Sequence, residues 1–318
     1  MEKTMFTPRK PFLASAHVPA VVKTDSLYHS EQIQNEKYVR KLRFGEEGIE
    51  QGQFLYPVGV TVSVEGEIFI ADSGNQRIQV FTLQGTFVRQ FPTVLSGRQN
   101  MQPHDMALDG EGNLWVVGNS MSANFAVRYN KHGKVLKKID LQFTVWERGV
   151  TVDTRRNHIL ITRTTGDWYN TRAEVQVFRP DGTLIKTSCR QQGMRYPQNI
   201  TVDGKGNILV TDYENACVYV YDEDGQFLFQ FGGEGSGESQ LQYPHGICTD
   251  RAGNIIMADS ENGRVELFDE TGKFLQHIAT DMQEPWAVAM ATQRQLVVTD
   301  VFDVSVSVFQ TFGNLSKL

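Results

Sequence analysis

Residues 57–91 read PVGVTVSVEGEIFIADSGNQRIQVFTLQGTFVRQF, and their plan returns five more times along the chain, at 103–139, 147–186, 197–231, 244–278 and 285–313. Within 57–91 the first segment, VGVTV, alternates as a half-buried strand does. A glycine turn follows, and then IFIA, an apolar run that fits a strand buried on both faces. RIQVF alternates again and ends in Phe81, with Gly85 four positions on. Glycine at that offset supplies the positive φ of a hairpin turn. The last segment is more polar, as suits an edge strand. The aromatic–glycine pair recurs as Tyr129/Gly133, Phe178/Gly182, Tyr221/Gly225, Phe268/Gly272 and Phe309/Gly313, and five of the six units open on proline, the third on Glu147.

The units start 41–50 residues apart, and no segment sustains a 3.6-residue period. Four short strands per unit in radial repetition predict an all-β fold, a six-bladed β-propeller. The last unit lacks a fourth strand, because only NLSKL follows Gly313. KYVRKLRFG (37–45) resembles the fourth strand GQFLFQFGG, so residues 38–44 are expected to complete the blade begun by 285–311. That pairing closes the ring without a free edge; the alternative is that 314–318 takes the place. The expected organisation is a disordered tail over 1–36, the propeller over 37–313 and a short tail over 314–318.

The chain has 318 residues and a net charge of −6, so it is not a basic nucleic-acid binder as a whole, although a local patch could be. Cys189, Cys217 and Cys248 have no close spacing, and no secretory signal or membrane-length apolar run is evident. They read as reduced, mostly buried thiols, and the expected location is cytoplasmic.

In a six-bladed ring the residue after each opening proline lies near the axis at one mouth. Those positions are Val58, His104, Arg148, Gln198, His245 and Trp286. His104 and His245 face each other from opposite blades, and two imidazoles alone make a poor zinc site. They read as polar rim residues able to touch a ligand, and no metal or cofactor is expected. Asp105 and Asn199 are expected to point away from the channel by strand alternation. Asp72, Asp212, Asp259 and Asp300 end second strands, and Asn75, Arg77, Asn262 and Arg264 follow them. They read as turn-stabilising residues, with Asp72–Arg77 an exposed pair contributing about 0–1 kcal/mol. The glycine-rich FGGEGSGES (231–239) reads as a flexible loop between blades.

Charge divides the loops around one mouth. Arg98, Arg148, Arg163, Arg172, Arg190 and Arg195 fall on or beside the second to fourth blades, against Asp167 and a few others, and Glu46, Glu47, Glu50, Glu234, Glu238, Asp259, Glu261, Asp281 and Glu284 on the remaining sector. The third blade departs most from the repeat: Arg163 replaces the strand-ending aspartate, and a longer loop carries Trp168 and Tyr169. In the second blade Gly118 stands at the aspartate position.

The strings IADSGNQRIQVF (70–81) and MADSENGRVELF (257–268), with the YP.G opening and QFG ending, resemble the NHL repeat. Over about 38–313 the chain is similar to the C-terminal propeller of TRIM-NHL (tripartite motif) proteins. In that family a RING, B-boxes and a coiled coil precede the propeller, which recognises a protein target or RNA. Three scattered cysteines cannot build a RING's paired zinc sites, so no catalysis is expected of this chain. The resemblance implies a recognition module that binds a protein target in a ubiquitin ligase system, with Arg98, His104, Arg148, Arg163, Trp168, Tyr169, Arg172, Arg195, His245 and Trp286 as candidate contacts. The alternative is binding of single-stranded or stem-loop RNA, phosphates on the arginines and a base on Trp168 or Tyr169. The acidic half of the mouth favours protein. A third reading, a metal-dependent propeller lyase or lactonase, would need a third histidine or an axial glutamate, and neither is evident. Neither a membrane nor a DNA partner is expected, and the propeller is expected to be monomeric.

Overall fold

The computed structural model describes residues 37–312 except 97–98, 145–146, 167–169 and 191–192. The expected tails over 1–36 and 314–318, and Gly313 at the end of the expected propeller, lie outside the described residues. Six four-stranded antiparallel sheets form the blades of the propeller, and no described residue is helical. Blade 1 comprises Pro57–Val62, Glu67–Asp72, Arg77–Thr82 and Phe87–Pro92. Blade 2 comprises Gln102–Leu108, Leu114–Asn119, Asn124–Tyr129 and Val135–Leu141. Blade 3 runs through Val150–Asp153, His158–Thr165, Arg172–Phe178 and Leu184–Ser188, and blade 4 through Pro197–Val202, Ile208–Asp212, Cys217–Tyr221 and Phe227–Gly232. Blade 5 is Pro244–Thr249, Ile255–Asp259, Arg264–Phe268 and Phe274–Ala279. Blade 6 takes Pro285–Met290, Gln295–Asp300 and Ser305–Phe312 from one end of the chain and Lys37–Phe44 from the other.

The last of these pairings closes the ring as the sequence suggested. Tyr38 lies opposite Thr311 and Phe44 opposite Val306, and Leu42 and Phe44 pack on the apolar layer between blades 6 and 1. A short hairpin, Val94–Ser96 with Gln99–Asn100, adds a small sheet between blades 1 and 2 that the repeat does not foreshadow.

The core is a set of six layers, one between each pair of adjacent blades. This explains the unbroken apolar second strands. In blade 1, Phe69 and Ala71 face blade 2 while Ile68 and Ile70 face blade 6. Alternate side chains of one strand thus serve two layers, and neither face can be polar. The aromatic–glycine pairs work as expected: Gly85, Gly133, Gly182, Gly225 and Gly272 all have positive φ.

The strand-ending aspartates and their neighbours lie deeper than expected. Asp72 is fully buried, and its Oδ2 accepts from Arg77 Nε at 2.6 Å. The pair is therefore internal, a correction to the exposed pair of the sequence reading. The reason is the preceding loop, which folds over it: Arg77 also donates to the carbonyls of Ile49, Glu50 and Gln53, and Asp72 accepts from the Leu55 amide. Blade 5 repeats the device. Arg264 donates to Asp259 at 2.8 Å and to the carbonyls of Ser236, Gly237 and Gln240, so the glycine-rich loop is tied down, where a flexible connection was expected.

Candidate interaction face around the channel mouth

The loops that open each blade and those joining second to third strands share one face. There, Val58, His104, Arg148, Gln198, His245 and Trp286 converge on the axis as expected, around a space of about 10 Å³, no more than a water's room. Below it the first strands of all six blades line a wider channel of about 270 Å³.

His245 is buried, not on the rim. Its ring stacks on Trp286 with centroids 3.5 Å apart and meets Tyr213 edge-on at 5.4 Å. Burial drives its pKa down from 6.5 to about 3, so the imidazole is neutral. The half-buried His104 shares a 2.9 Å hydrogen bond between Nε2 and Asn119 Oδ1, and burial lowers its pKa too. Trp286 is half-buried.

Asp105 and Asn199 line the channel, which corrects the expectation that they point away. The pairing register slips between Pro103 and Asp105 and again between Pro197 and Asn199. A bulge directly after the opening proline breaks the alternation on which that expectation rested. Asp105 Oδ2 accepts from the Val150 amide of blade 3 at 2.8 Å, and burial pushes its carboxyl up to about 7 despite that bond.

The arginine sector is largely self-neutralised. Arg148 is buried, donates to the carbonyls of Thr162 and Gln142, and is held down to about 10 by burial and by Arg163. Its expected contact with a partner is thereby corrected: its fork is spent on backbone inside the fold. Arg163 pairs with Glu174 at 2.7 Å and bonds the Gln142 side chain, and Arg190 takes the other Glu174 oxygen at 3.0 Å. Arg195 reaches Glu214 at 3.4 Å and lies over the Tyr196 ring. Arg172 is exposed where the third strand of blade 3 begins. Arg98, Trp168 and Tyr169 lie outside the described residues.

Two departures from the repeat have local causes. At Gly118 any Cβ would overlap the Gln102 carbonyl oxygen, so the aspartate of other blades cannot stand there. Arg163 pairs with Glu174 across the strands, a within-blade ion pair in place of the aspartate's bonds to the preceding loop.

Sequence reasoning missed the apolar character of the face. Ile49, Tyr56, Met121, Phe143, Tyr243 and Phe302 all stand exposed on its loops, Met121 completely. The other exposed large apolar side chains, such as Val64 and Leu228, sit on the opposite hairpins or the outer strands. The available signal was the placement of Tyr, Met and Phe in loops between strands. Among the described residues no helix could cross a membrane, and no three metal-ligating side chains gather.

Comparison with known proteins agrees with the architecture. The profile of the NHL repeat matches residues 54–81, and that of a 6-bladed beta-propeller family matches 192–303. The chain is a six-bladed β-propeller that carries an NHL-repeat match at its first blade. It is 28% identical over 205 residues to protein brain tumor of Drosophila melanogaster, across 63% of this chain and 15% of that protein. It is 32% identical over 132 residues to the B-box type zinc finger protein ncl-1 of Caenorhabditis elegans, across 41% of this chain and 15% of the relative. With the E3 ubiquitin-protein ligase TRIM32 of Homo sapiens it shares 28% identity over 182 residues, 53% of this chain and 26% of that protein. The matched region thus corresponds to a minor part of each relative's length. Among solved structures, a protein of unknown function from Bacteroides thetaiotaomicron superposes with a TM-score of 0.67 at 11% identity, covering 87% of this chain and 76% of that one. A streptogramin B lyase superposes at 0.59 with 13% identity, covering 88% and 99%. At such identities the likeness concerns the fold alone.

Proposed function

We propose that this NHL propeller is a non-catalytic recognition module that holds a protein target on the face carrying the channel mouth. The carrying observation is the gathering of Ile49, Tyr56, Met121, Phe143, Tyr243 and Phe302 on that face. Exposed aromatic and methionine side chains amid polar loops have the composition of a protein contact surface. A cleft of about 400 Å³ beside Met121, lined by Gln76, Gln99, Asn100, Gln102 and Asn119, adds hydrogen-bonding amides next to the apolar groups. By analogy with TRIM32, named as a ubiquitin ligase, the target would be a substrate brought to a ligase. The RNA reading draws less support, because Arg148 is buried and Arg163, Arg190 and Arg195 are engaged by Glu174 and Glu214. Arg172, exposed at the start of its strand, keeps its place as a candidate contact on this face, and Arg98, Trp168 and Tyr169 remain candidates from the sequence alone.

The test is affinity capture on the immobilised chain from extract of its own cells, with and without ribonuclease, beside the M121S/F302S variant. Protein retained after ribonuclease and lost with the variant is the expected result. Retention that ribonuclease abolishes, or that the variant leaves unchanged, would refute the reading.

A further inference from the structure

The acidic sector of the face contains an aromatic stack. Tyr243 and Tyr213 lie parallel, centroids 4.4 Å apart and planes 15° apart. Tyr213 continues edge-on to His245, and His245 stacks on Trp286. Four rings from blades 4, 5 and 6 thus form a continuous column from solvent to the channel mouth. Its outer end is open: Tyr243 is 40% exposed. Tyr243 also holds φ at 52°, a left-handed backbone that non-glycine residues seldom adopt. The Gln242 amide, bonded to Asp259 Oδ1 at 2.6 Å, and Pro244, which begins the next strand, fix the chain on either side.

Carboxylates surround this column. Glu214, Glu261 and Glu284 all act on the Tyr213 hydroxyl, which burial chiefly and these charges further hold above its ordinary pKa. Glu214 is answered by Arg195. Glu261 is exposed, Glu284 is half-buried, and neither has a lysine or arginine partner among the described residues. Burial chiefly, and then the charges of Asp300 and Glu261, raise the pKa of Glu284. Repulsion between carboxylates flanking exposed rings is relieved by a cation seated between them. Ring faces with adjacent carboxylates are also what a guanidinium or ammonium group meets favourably, by cation–π attraction and charge-assisted hydrogen bonds.

We infer that the Tyr213–Tyr243 pair, with Glu261 and Glu284, is a binding site for an arginine or lysine side chain of a partner protein. The occupant is a basic segment, matched by charge to a sector that also carries Glu46, Glu47, Glu50, Glu234 and Glu238, while Asp281 beside them is answered by Arg40 at 2.7 Å. This rests on the reading of the face as a protein-recognition surface and names the partner chemistry. RNA is disfavoured at this place, since phosphates would meet the same carboxylates.

The probe is a fluorescein-labelled octapeptide of alternating arginine and serine, with its citrulline analogue as the uncharged control, read by anisotropy at about 50 mM and about 500 mM salt. The native chain is expected to bind the arginine peptide, more weakly at high salt, and not the citrulline peptide. Y243A and E261Q/E284Q are each expected to weaken binding by about tenfold or more, while Y243F, which keeps the ring, retains it. Melting curves confirm that each variant is folded. Equal affinity for the two peptides, or unchanged affinity in both Y243A and E261Q/E284Q, would overturn the inference, as would labelled oligouridine displacing the peptide from the native chain. If the peptide ignores these substitutions while protein capture still depends on Met121 and Phe302, the cation site fails and the recognition face stands. If the peptide obeys them while capture does not, the outcome is reversed.

Discussion

Gln79 and Glu266 occupy the same position in blades 1 and 5, two residues after the arginine that anchors the preceding loop, but one is fully hydrogen-bonded and the other is not. The Gln79 amide donates to the Gln53 carbonyl at 2.6 Å and to Asp72 at 3.1 Å, and its oxygen accepts from the Gly52 amide. Glu266 is fully buried, and neither carboxylate oxygen has a hydrogen-bond partner. Arg264 Nε stands 3.0 Å away, but it also serves Asp259. His277 Nδ1 is 3.3 Å away. Burial first, with the repulsion of Asp259, pushes the Glu266 carboxyl up to about 8.

The sign of the resulting pH dependence follows from proton counts. Between its ordinary value of 4.5 and about 8, Glu266 holds its proton in the folded chain and has lost it in the unfolded one. The folded state binds more protons there, so stability falls as pH rises, by up to about 1.4 kcal/mol per pH unit. E266Q supplies the amide that blade 1 uses. Urea unfolding from pH 5 to pH 8 should show E266Q more stable at the upper end and with a shallower slope. Some slope remains, because Asp105, raised to about 7, acts in the same direction. A slope equal to that of the native chain would contradict this assignment.

His245 acts in the opposite sense. Its folded pKa of about 3 lies below its ordinary 6.5, so between these values the unfolded chain binds more protons, and stability is lost as pH falls. At pH 5 the loss from this group is about 2 kcal/mol relative to neutral pH. H245F, which keeps an aromatic ring against Trp286, should remove that acid sensitivity. Unfolding midpoints at pH 5 and pH 7 compare the two chains.

Ring closure depends on the strand from the other end of the chain. Deleting residues 37–44 exposes the edge of Ser305–Phe312 and removes Leu42 and Phe44 from the layer between blades 6 and 1. An open edge pairs with other chains. The deleted chain should melt at a lower temperature and elute as larger species in size-exclusion chromatography, whereas the native chain does not show this shift on dilution.

Removing Arg77 leaves buried Asp72 without its cation and frees three loop carbonyls. R77A should destabilise the fold by about 3 kcal/mol or more, the scale of breaking a buried pair from one side. D72N/R77M, which removes both charges, should cost less than the two single changes added together, measured by chemical denaturation.

The architecture was legible because each blade repeats its chemistry: apolar second strands, aromatic ends and glycines at fixed offsets. The closure by 37–44 could be read from the likeness of KYVRKLRFG to GQFLFQFGG. The six axial positions were legible too, since counting from the opening proline places His104, Arg148 and His245. What counting could not give was depth. The bulges after Pro103 and Pro197 turn Asp105 and Asn199 inward, and no residue type in those stretches announces them. Arg148 reads as a surface charge until the carbonyls of Gln142 and Thr162 close on it. The arginine sector reads as basic from its loops, because the counter-charge Glu174 lies on a third strand. Tyr213 and Tyr243 are 30 residues apart in sequence and meet because adjacent blades bring their loops together.

The central claim is that the face with the channel mouth meets a protein. Photo-crosslinking tests it most directly, with benzophenone-alanine replacing Phe302 on that face in one chain and Val64 on the opposite face in another, each returned to its own cells. The account expects protein adducts from position 302 that ribonuclease leaves intact, and none of those adducts from position 64. Adducts to RNA from position 302, or the same protein adducts from both faces, would contradict it.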